Sequence, residues 1–415
     1  MAQRRSLGGR IVPTLALVAT LVAAPRVGAQ RPQALAACAP LPDSLVSPEG
    51  PGLVAARSAG ENPAAMALDE AAGRVYINTA AALLVLDATS GACLRAAPLD
   101  SASPGPIAVD GRMHLVFAAR DTLIVAFAGA SGTRLATVPA AARVTSLLAD
   151  PAGDRVVGIS DAEVLVLDGR TGALLRRAPF AGPVNGQAHV AALWDLGAIY
   201  VAEPRAIAVL DAASGALRRA IPIAATPIGL AADERTRHLF VTALPPGTMP
   251  ARAYSLLATF DATSGAALRQ VRFATSSESP DSAIVAVDAP RGHLFVSSNI
   301  STMNMVDTRT GAVLASAPAD PLPQLGAVAE RAGRVFVANL NFGRGGRPGQ
   351  AQGSLSAFDA ATGAGRQLTY VGYSPTALVA DETTGRLFVT TAGTLTDNDQ
   401  SDVAGTVLVF DIKAL

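Results

Sequence analysis

The sequence is poor in charge, in aromatic residues and in cysteine, and each shortage excludes a class of function. Only 16% of its 415 residues are charged and the formal net charge is zero, so nucleic-acid binding is not favoured. Aromatic residues are 4% of the chain, too few for a base-stacking surface. The two cysteines form no Cys-x-x-Cys-His sequence, so no c-type haem attachment is encoded. We therefore expect no nucleic-acid partner and no cofactor, apart from a Ca²⁺ ion considered below.

Long apolar runs are also missing, apart from one near the N-terminus. Arg4-Arg5 precedes an apolar stretch over Ile11–Ala24, and Val27-Gly28-Ala29 is a small-residue cleavage sequence. This arrangement predicts a signal peptide over residues 1–29, with Gln30 as the first residue of the mature chain. The stretch is short for a bilayer and no later run replaces it, so we expect no transmembrane span. The prediction is a periplasmic or secreted protein, exported by the general or the twin-arginine route.

What the sequence does contain is a repeat. A unit of about 38 to 55 residues recurs eight times, and each copy consists of short apolar strands. Most copies carry Asp-x-x-(Thr/Ser)-Gly before the last strand, where Asp accepts backbone N–H groups and Gly takes a positive φ. These turns are Asp87–Gly91, Asp168–Gly172, Asp211–Gly215, Asp261–Gly265, Asp307–Gly311 and Asp359–Gly363; the second copy is degenerate, with Ala128-Gly-Ala-Ser-Gly132. Four antiparallel strands per unit are typical of β-propeller blades.

The two ends of the chain predict how the ring closes. The eighth unit stops at Leu415, just after its third strand, and Leu53–Ser58 has the pattern of a fourth strand. Pairing Leu53–Ser58 with Thr406–Asp411 completes the last blade and removes an exposed sheet edge. We therefore predict an all-β propeller of eight four-stranded antiparallel blades over residues 53–415, preceded by an N-terminal arm over residues 30–52. A seven-bladed ring with one irregular unit is the alternative.

The repeat resembles the YVTN-type β-propeller repeat of YncE-like bacterial proteins, a WD40-like architecture. Gly73-Arg-Val-Tyr-Ile-Asn78 with Val85-Leu-Asp87 and Ser90-Gly91 carries the resemblance, and Val335-Phe-Val-Ala-Asn339 is the nearest copy. The resemblance covers the chain from about Leu53 onward. It implies a propeller and says little about function, because one fold hosts many activities.

The faces of such a ring differ in their connections. Turns joining strands one and two, and three and four, lie on one face, here called the turn face. Connections joining strands two and three, and those between blades, lie on the other, the loop face. Three loop-face connections are long, Ala243–Ser255, Leu340–Gly353 and Ala392–Gly405, and long loops are often functional. We predict that a ligand or partner binds on the loop face, with tolerated insertions as the alternative.

Two of these loops contain candidate binding residues. In the seventh unit, Arg344 and Arg347 lie among glycines with Asn339 and Asn341 nearby, a set suited to a carboxylate, a phosphate or a sugar acid. In the eighth unit, Asp397, Asp399 and Asp402 supply hard oxygen ligands of the kind that Ca²⁺ takes. The alternatives are a flexible basic loop tip and a solvated acidic one.

Histidines and inner-strand carboxylates are the remaining candidates. Carboxylates end nearly every inner strand, and this regularity indicates a role in the blade turn rather than in a metal site. His114, His238 and His293 share the start of strand two and are interpreted as repeat features of the turn face. His189 differs, because it lies near an inner strand and the central channel, and it is the one weak candidate for a catalytic residue. A lone histidine is more often simply hydrogen-bonded.

The two cysteines allow two interpretations. Cys93 opens the outer strand of the first blade, and the arm bearing Cys38 arrives beside it if Leu53–Ser58 closes the eighth, so an exported protein can pair them. Leu35-Ala-Ala-Cys38 also resembles a lipoprotein cleavage sequence, which places a lipid on Cys38 instead.

Together these features predict a binding or scaffold propeller of the bacterial cell envelope. Its partner is an envelope protein or a small ligand, and we expect a monomer without enzymatic activity. The alternative is a propeller enzyme, such as a lactonase-like hydrolase or a quinone-dependent dehydrogenase-like protein, with its site at the mouth of the central channel.

Overall fold

In the part of the chain that the structure describes, short apolar segments separated by Asp- and Gly-containing turns form 31 strands, most of them four to eight residues long. The computed structural model describes residues 38–39, 52–100, 103–150, 152, 154–181, 189–245, 254–274, 284–298, 301–320, 322–340, 352–393 and 405–415. Within these residues, no helix has the length and apolarity needed to cross a membrane. The signal peptide predicted over residues 1–29 lies outside the described residues.

The first six blades are separate four-stranded antiparallel sheets with the strands in sequence order from the inside of the ring to the outside. Blade 1 contains β2 (Ala65–Asp69), β3 (Arg74–Asn78), β4 (Ala82–Asp87) and β5 (Cys93–Pro98). Blade 2 contains β6 (Pro104–Asp110), β7 (Leu115–Arg120), β8 (Leu123–Ala128) and β9 (Thr133–Pro139). Blade 3 contains β10 (Val144–Asp150), β11 (Arg155–Ser160), β12 (Glu163–Asp168) and β13 (Leu174–Pro179).

Blades 4 to 6 continue the same order. Blade 4 contains β14 (Val190–Leu193), β15 (Ala198–Glu203), β16 (Ala206–Asp211) and β17 (Leu217–Pro222), with a short 3-10 turn at Trp194–Leu196. Blade 5 contains β18 (Thr226–Asp233), β19 (His238–Leu244), β20 (Tyr254–Asp261) and β21 (Ala267–Ala274). Blade 6 contains β22 (Ile284–Asp288), β23 (His293–Ser298), β24 (Thr302–Asp307) and β25 (Val313–Pro318).

Blades 7 and 8 share one seven-stranded sheet, in the order β1-β31-β30-β29-β28-β27-β26. Its strands are β1 (Leu53–Gly60), β26 (Pro323–Ala329), β27 (Arg334–Asn339), β28 (Gln352–Asp359), β29 (Gly365–Asp381), β30 (Arg386–Gly393) and β31 (Gly405–Asp411). The 17-residue β29 is the outer strand of blade 7 in its first half and the inner strand of blade 8 in its second half.

The ring closes as the sequence predicted. β1 pairs antiparallel with β31, from Leu53 opposite Phe410 to Ser58 opposite Thr406, so the first of the described strands is the outer strand of the last blade. The eight-bladed prediction is confirmed, and the seven-bladed alternative is wrong: six blades are separate four-stranded sheets, and the seven-stranded sheet supplies two more, with β29 shared between them and β1 completing blade 8.

The core lies between neighbouring blades, where the second and third strands are buried. An aromatic side chain occupies the middle of the second strand in seven blades and is at most 1% exposed in each: Tyr76, Phe117, Tyr200, Phe240, Phe295, Phe336 and Phe388. Burial of such a side chain stabilises the fold by about 1.5–3 kcal/mol. The apolar second strand is therefore what binds one blade to the next.

The turn between the third and fourth strands explains the Asp-x-x-(Thr/Ser)-Gly motif. Asp87 Oδ1 accepts hydrogen bonds from the Thr89 and Ser90 backbone N–H groups and from the Ser90 hydroxyl. The motif's Gly has a positive φ in every copy, and in blade 2 Gly132 (φ 63°) keeps this geometry although Ala128 replaces the Asp. Each turn also lies against the preceding blade: a Cβ on Gly172 would be 2.4 Å from the Ala126 Cβ. Glycine is thus required both for the φ angle and for the close approach.

Candidate functional site

Most of the loop residues that the sequence singles out lie outside the described residues. This holds for Asn341, Arg344 and Arg347 of blade 7 and for Asp397, Asp399 and Asp402 of blade 8. Anion binding at the first set and Ca²⁺ binding at the second remain predictions.

Asn339, the last residue of β27, is described and fully buried. Its Nδ2 donates to Ser356 Oγ at 3.0 Å and to Ser354 Oγ at 3.3 Å, and Ser354 Oγ donates to Asp320 Oδ2 at 2.5 Å. Its Oδ1 is buried and has no hydrogen-bond partner among the described residues. The Asn339 amide therefore belongs to a polar cluster inside the loop-face end of blade 7, with no exposed atom of its own.

His189 immediately precedes β14, the inner strand of blade 4. Its backbone carbonyl accepts a hydrogen bond from Ala202 N at 2.9 Å. Burial lowers the pKa of the imidazole from its usual value, so the ring is neutral at neutral pH. Within the described residues, no group of three or more His, Cys, Asp or Glu side chains is placed to hold a metal ion.

The other three histidines lie at the turn face but do not share one register. His238 and His293 are paired across the ladder with Asp261 and Asp307, and their Nδ1 atoms contact backbone carbonyls of the next blade. His114 precedes the equivalent position by one residue, because Leu115 is the residue paired with Ala128. The expectation of a common register is therefore wrong for His114.

The partner of His114 is also different. Its Nδ1 lies 2.7 Å from Oδ2 of Asp69, the buried carboxylate that ends the inner strand of the preceding blade, and Asp69 Oδ1 accepts the Ala72 N–H group. Asp110 and Asp381 accept backbone N–H groups of their own turns in the same way. These carboxylates hold the blade turns.

The described part of the chain contains a cleft between blades 4 and 5, with a volume of about 500 Å³. One wall is formed by Pro222 at the end of β17 and by the connection to β18, Ile223–Ala225, and the other by β19, β20 and the outer strand β21. The cleft extends from the loop-face ends of β19 and β20, at Pro245 and Tyr254, along β21. These two residues flank the long connection of blade 5, so the cleft lies beside one of the three loops that the sequence predicts to be functional.

Small side chains in blade 5 explain the cleft. In each blade one residue of the second strand pairs with the Asp that ends the third strand, or with Ala128 in blade 2. Five residues after this paired residue, blade 5 has Ala243. The other blades place polar side chains at this position: Thr79, Arg120, Ser160, Glu203, Ser298, Asn339 and Thr391.

A second alanine, Ala258, enlarges the same space. It lies three residues before Asp261 on β20, where blades 1, 2, 3 and 8 carry the larger Leu84, Val125, Leu165 and Leu408, and blades 4, 6 and 7 carry Ala208, Asn304 and Ser356. Only blade 5 combines alanine at both positions, and a gap without partner atoms is open to a ligand.

The rim of the cleft is cationic. The Arg272 guanidinium carbon lies 4.8 Å from the centre of the Tyr254 ring, within the range of a cation–π contact. Arg272 is opposite Leu256 and Gln270 is opposite Ala258 across the β20–β21 ladder, so both polar side chains border the apolar wall. Among the described residues, Arg272 forms no ion pair with a carboxylate.

Sequence reasoning missed this cleft because alanine in an alanine-rich chain attracts no attention. The available signal was comparative: once the eight units are aligned on their third-strand turns, only blade 5 has alanine at both the Ala243 and the Ala258 positions.

Comparison with known proteins gives the fold and no family. No protein-family model matches the chain, and no curated protein matches it. The computationally designed protein Ika8 is similar in structure, with a TM-score of 0.63 and 16% identity over 88% of this chain and 100% of that one. BamB from Moraxella catarrhalis is similar with a TM-score of 0.59 and 14% identity over 87% and 100%. At these identities the likeness shows architecture alone: the chain is an eight-bladed β-propeller.

Proposed function

We propose that this protein is an exported binding or scaffold propeller of the bacterial cell envelope, which holds a ligand or a protein partner on its loop face. The N-terminal sequence, with its arginines, apolar stretch and small-residue cleavage site, supports export. The resemblance of the repeat to the YVTN-type propellers of YncE-like bacterial proteins supports a bacterial origin.

The observation that carries the binding role is the cleft between blades 4 and 5. Its volume of about 500 Å³ falls in the range of small-molecule sites, which are mostly apolar and contain a few polar groups that orient the ligand. The cleft has this composition, with Leu256, Ala258 and Phe260 on the wall and Arg272 at the rim. In this proposal the cleft between blades 4 and 5 is the primary site, and the loop residues Arg344 and Arg347 provide further contacts on the loop face.

Site-directed photocrosslinking tests the proposal with a matched pair of positions. Ala224 is exposed and lines the cleft, whereas Ala213 is exposed in the turn-face hairpin of the same blade. A photoreactive amino acid at Ala224, in the full chain expressed in a bacterium that exports it, should give an adduct of defined mass. The same group at Ala213 should give none.

Two further results decide the matter. The mature chain recovered from the envelope fraction should begin at Gln30. Adducts at Ala213 alone, or equal adducts at both positions, would place the binding surface elsewhere and reject a loop-face site.

A further inference from the structure

We infer that the cleft between blades 4 and 5 binds a small amphipathic anion, with an aromatic or aliphatic body and one carboxylate or sulfonate head group. This inference rests on the proposed function and names the ligand class of its site. It follows from the shape of the cleft, from its apolar wall and from Arg272 on its rim; the second arginine of the lining, Arg269, packs its side chain against Gly311 of blade 6.

The apolar wall selects the body of the ligand. The wall consists of Ile223 and Ala225, from the connection before blade 5, and of Leu256, Ala258 and Phe260, from β20. Each of these side chains is less than 9% exposed, so the wall continues the core between the two blades. An apolar ligand group placed there replaces the side-chain atoms that Ala243 and Ala258 lack.

The rim selects the head group. A guanidinium has five N–H groups, so it can lie over an aromatic ring and still donate hydrogen bonds to a ligand. The guanidinium carbon of Arg272 lies over the ring of Tyr254 on the neighbouring strand, and Arg272 has no carboxylate partner among the described residues. A guanidinium edge is complementary to a planar carboxylate, and the adjacent Gln270 amide provides a further donor at the rim.

The occupant is a small molecule rather than a protein segment. The cleft is bounded on both sides by blades and its volume is about 500 Å³, which is the size of a small-molecule pocket. The Arg272 guanidinium matches one carboxylate or sulfonate group at the rim, and a charged group on the body of the ligand would lie unpaired against the apolar wall.

Two fluorescent probes with the same ring system separate the two halves of the inference. The probe 8-anilinonaphthalene-1-sulfonate carries one sulfonate, and N-phenyl-1-naphthylamine is the uncharged counterpart. Both are titrated into the full exported chain. We expect saturable binding of both probes at one site, with the sulfonate bound more tightly.

Three variants assign the binding. Ala258→Leu restores the residue found in blades 1, 3 and 8 and should weaken both probes at least tenfold. Arg272→Met keeps the length of the side chain without its charge; it should weaken only the sulfonate, by about tenfold, the loss of one charge-assisted hydrogen bond. Arg176→Met, at an exposed arginine of blade 3 whose Nη1 donates only to the Leu175 carbonyl among the described residues, should change neither. If Ala258→Leu unfolds the chain, Ala243→Thr is the second filling variant.

The outcomes are distinct. If Ala258→Leu weakens both probes and Arg272→Met weakens neither, the anion inference fails while the cleft remains a binding site. If neither variant changes the titrations of a folded protein, the probes bind elsewhere, and both the inference and the site on which the proposed function rests are rejected.

Discussion

Cys38 and Cys93 form a disulfide that joins two blades at the point where the ring closes, with their Cα atoms 5.5 Å apart. Cys38 N donates to Ser58 O and Ser58 N donates to Ala39 O, both at 2.9 Å, so the segment bearing Cys38 pairs with β1 at the outside of blade 8. Cys93 begins β5, the outer strand of blade 1. The bridge thus ties the strand that closes the ring to the first blade.

Removing this bridge should lower the stability of the folded ring. Its cysteines are 55 residues apart in the sequence, and closing a loop of this size contributes roughly 4 kcal/mol by restricting the unfolded chain. We expect a double Cys38→Ala, Cys93→Ala variant to melt well below the wild type in a thermal scan, and treatment of the wild type with a reductant to have the same effect.

The same thiols test the alternative of a lipoprotein. A lipid on the Cys38 sulfur and a disulfide to Cys93 exclude each other. Free-thiol titration of the exported, unfolded protein should therefore find no reactive cysteine, and its mass should fit two oxidised cysteines. Two free thiols, or an acylated Cys38, would contradict the bridge.

Deleting residues 52–60 should open the ring. The deletion removes β1, leaves β31 as an unpaired edge and exposes apolar side chains of blade 8, so we expect aggregation or a large fall in melting temperature. Val54 is 43% exposed on the same strand, and Val54→Lys is the control that should leave the melting curve unchanged. A normal melting curve for the deletion would reject β1 as the closing strand.

The turn aspartates should make stability depend on pH in the acid range. Partial burial raises the pKa of Asp211, but hydrogen bonds from Arg218 and Ser214 outweigh it and hold the pKa at about 2. The carboxyls of Asp87, Asp168, Asp261, Asp307, Asp359 and Asp411 also have lowered pKa values. Because an unfolded Asp titrates near pH 3.9, the ionised turns stabilise the fold above about pH 4 and lose this contribution as the pH falls toward 2.

Melting temperatures between pH 7 and pH 2 measure this effect. The melting temperature of the wild type should be constant near neutral pH and should fall as the pH drops below about 4. In Asp211→Asn the melting temperature should fall less steeply over the same acid range. Asp161→Asn, at an exposed aspartate of the loop face, controls for the loss of one carboxylate. A wild-type chain that gains stability toward pH 2 would show that the sign of the linkage is reversed.

Two glycine substitutions separate backbone strain from blade packing. Gly172 and Gly385 have similar φ angles of 74° and 69°, but a Cβ on Gly172 would meet Ala126 of blade 2, whereas one on Gly385 meets no heavy atom within 4 Å. Gly385→Ala should lower the free energy of unfolding by about 1–2 kcal/mol, because alanine is strained in the left-handed conformation. Gly172→Ala should lower the free energy of unfolding by about 1–3 kcal/mol more, because its Cβ would also clash with the preceding blade. If chemical denaturation gave equal losses of unfolding free energy for the two variants, the turns would not be packed against the preceding blade.

The architecture was predictable because it depends on local patterns that repeat. The Asp87–Gly91 turn and its copies mark the third hairpin of six blades, and Leu53–Ser58 supplies the strand that the last unit lacks. The continuous strand β29 was not foreseen, because its passage from one blade to the next depends on irregular pairing at Gly372 and Pro375 rather than on composition.

The cleft could not be predicted in the same way. Polar residues in long loops, such as Arg344 and Asp397, can be identified from the sequence directly. The cleft, in contrast, arises from the small size of the Ala243 and Ala258 side chains. The contact of Arg272 with Tyr254 depends on the register between β20 and β21, which one bulge at Thr259 and Phe260 shifts. Neither feature can be derived before the strands are paired.

The pairing of β1 with β31 also fixes an order of events during synthesis. Among the described strands β1 is the first to leave the ribosome and β31 is the last. Blade 8 therefore forms only after the strands of the other seven blades have been made, and a product that ends before β31 has an open ring. Both cysteines, in contrast, lie within the first 93 residues. The covalent link can hold β1 beside blade 1 while seven further blades are still being added, so that the final strand meets a partner already in place.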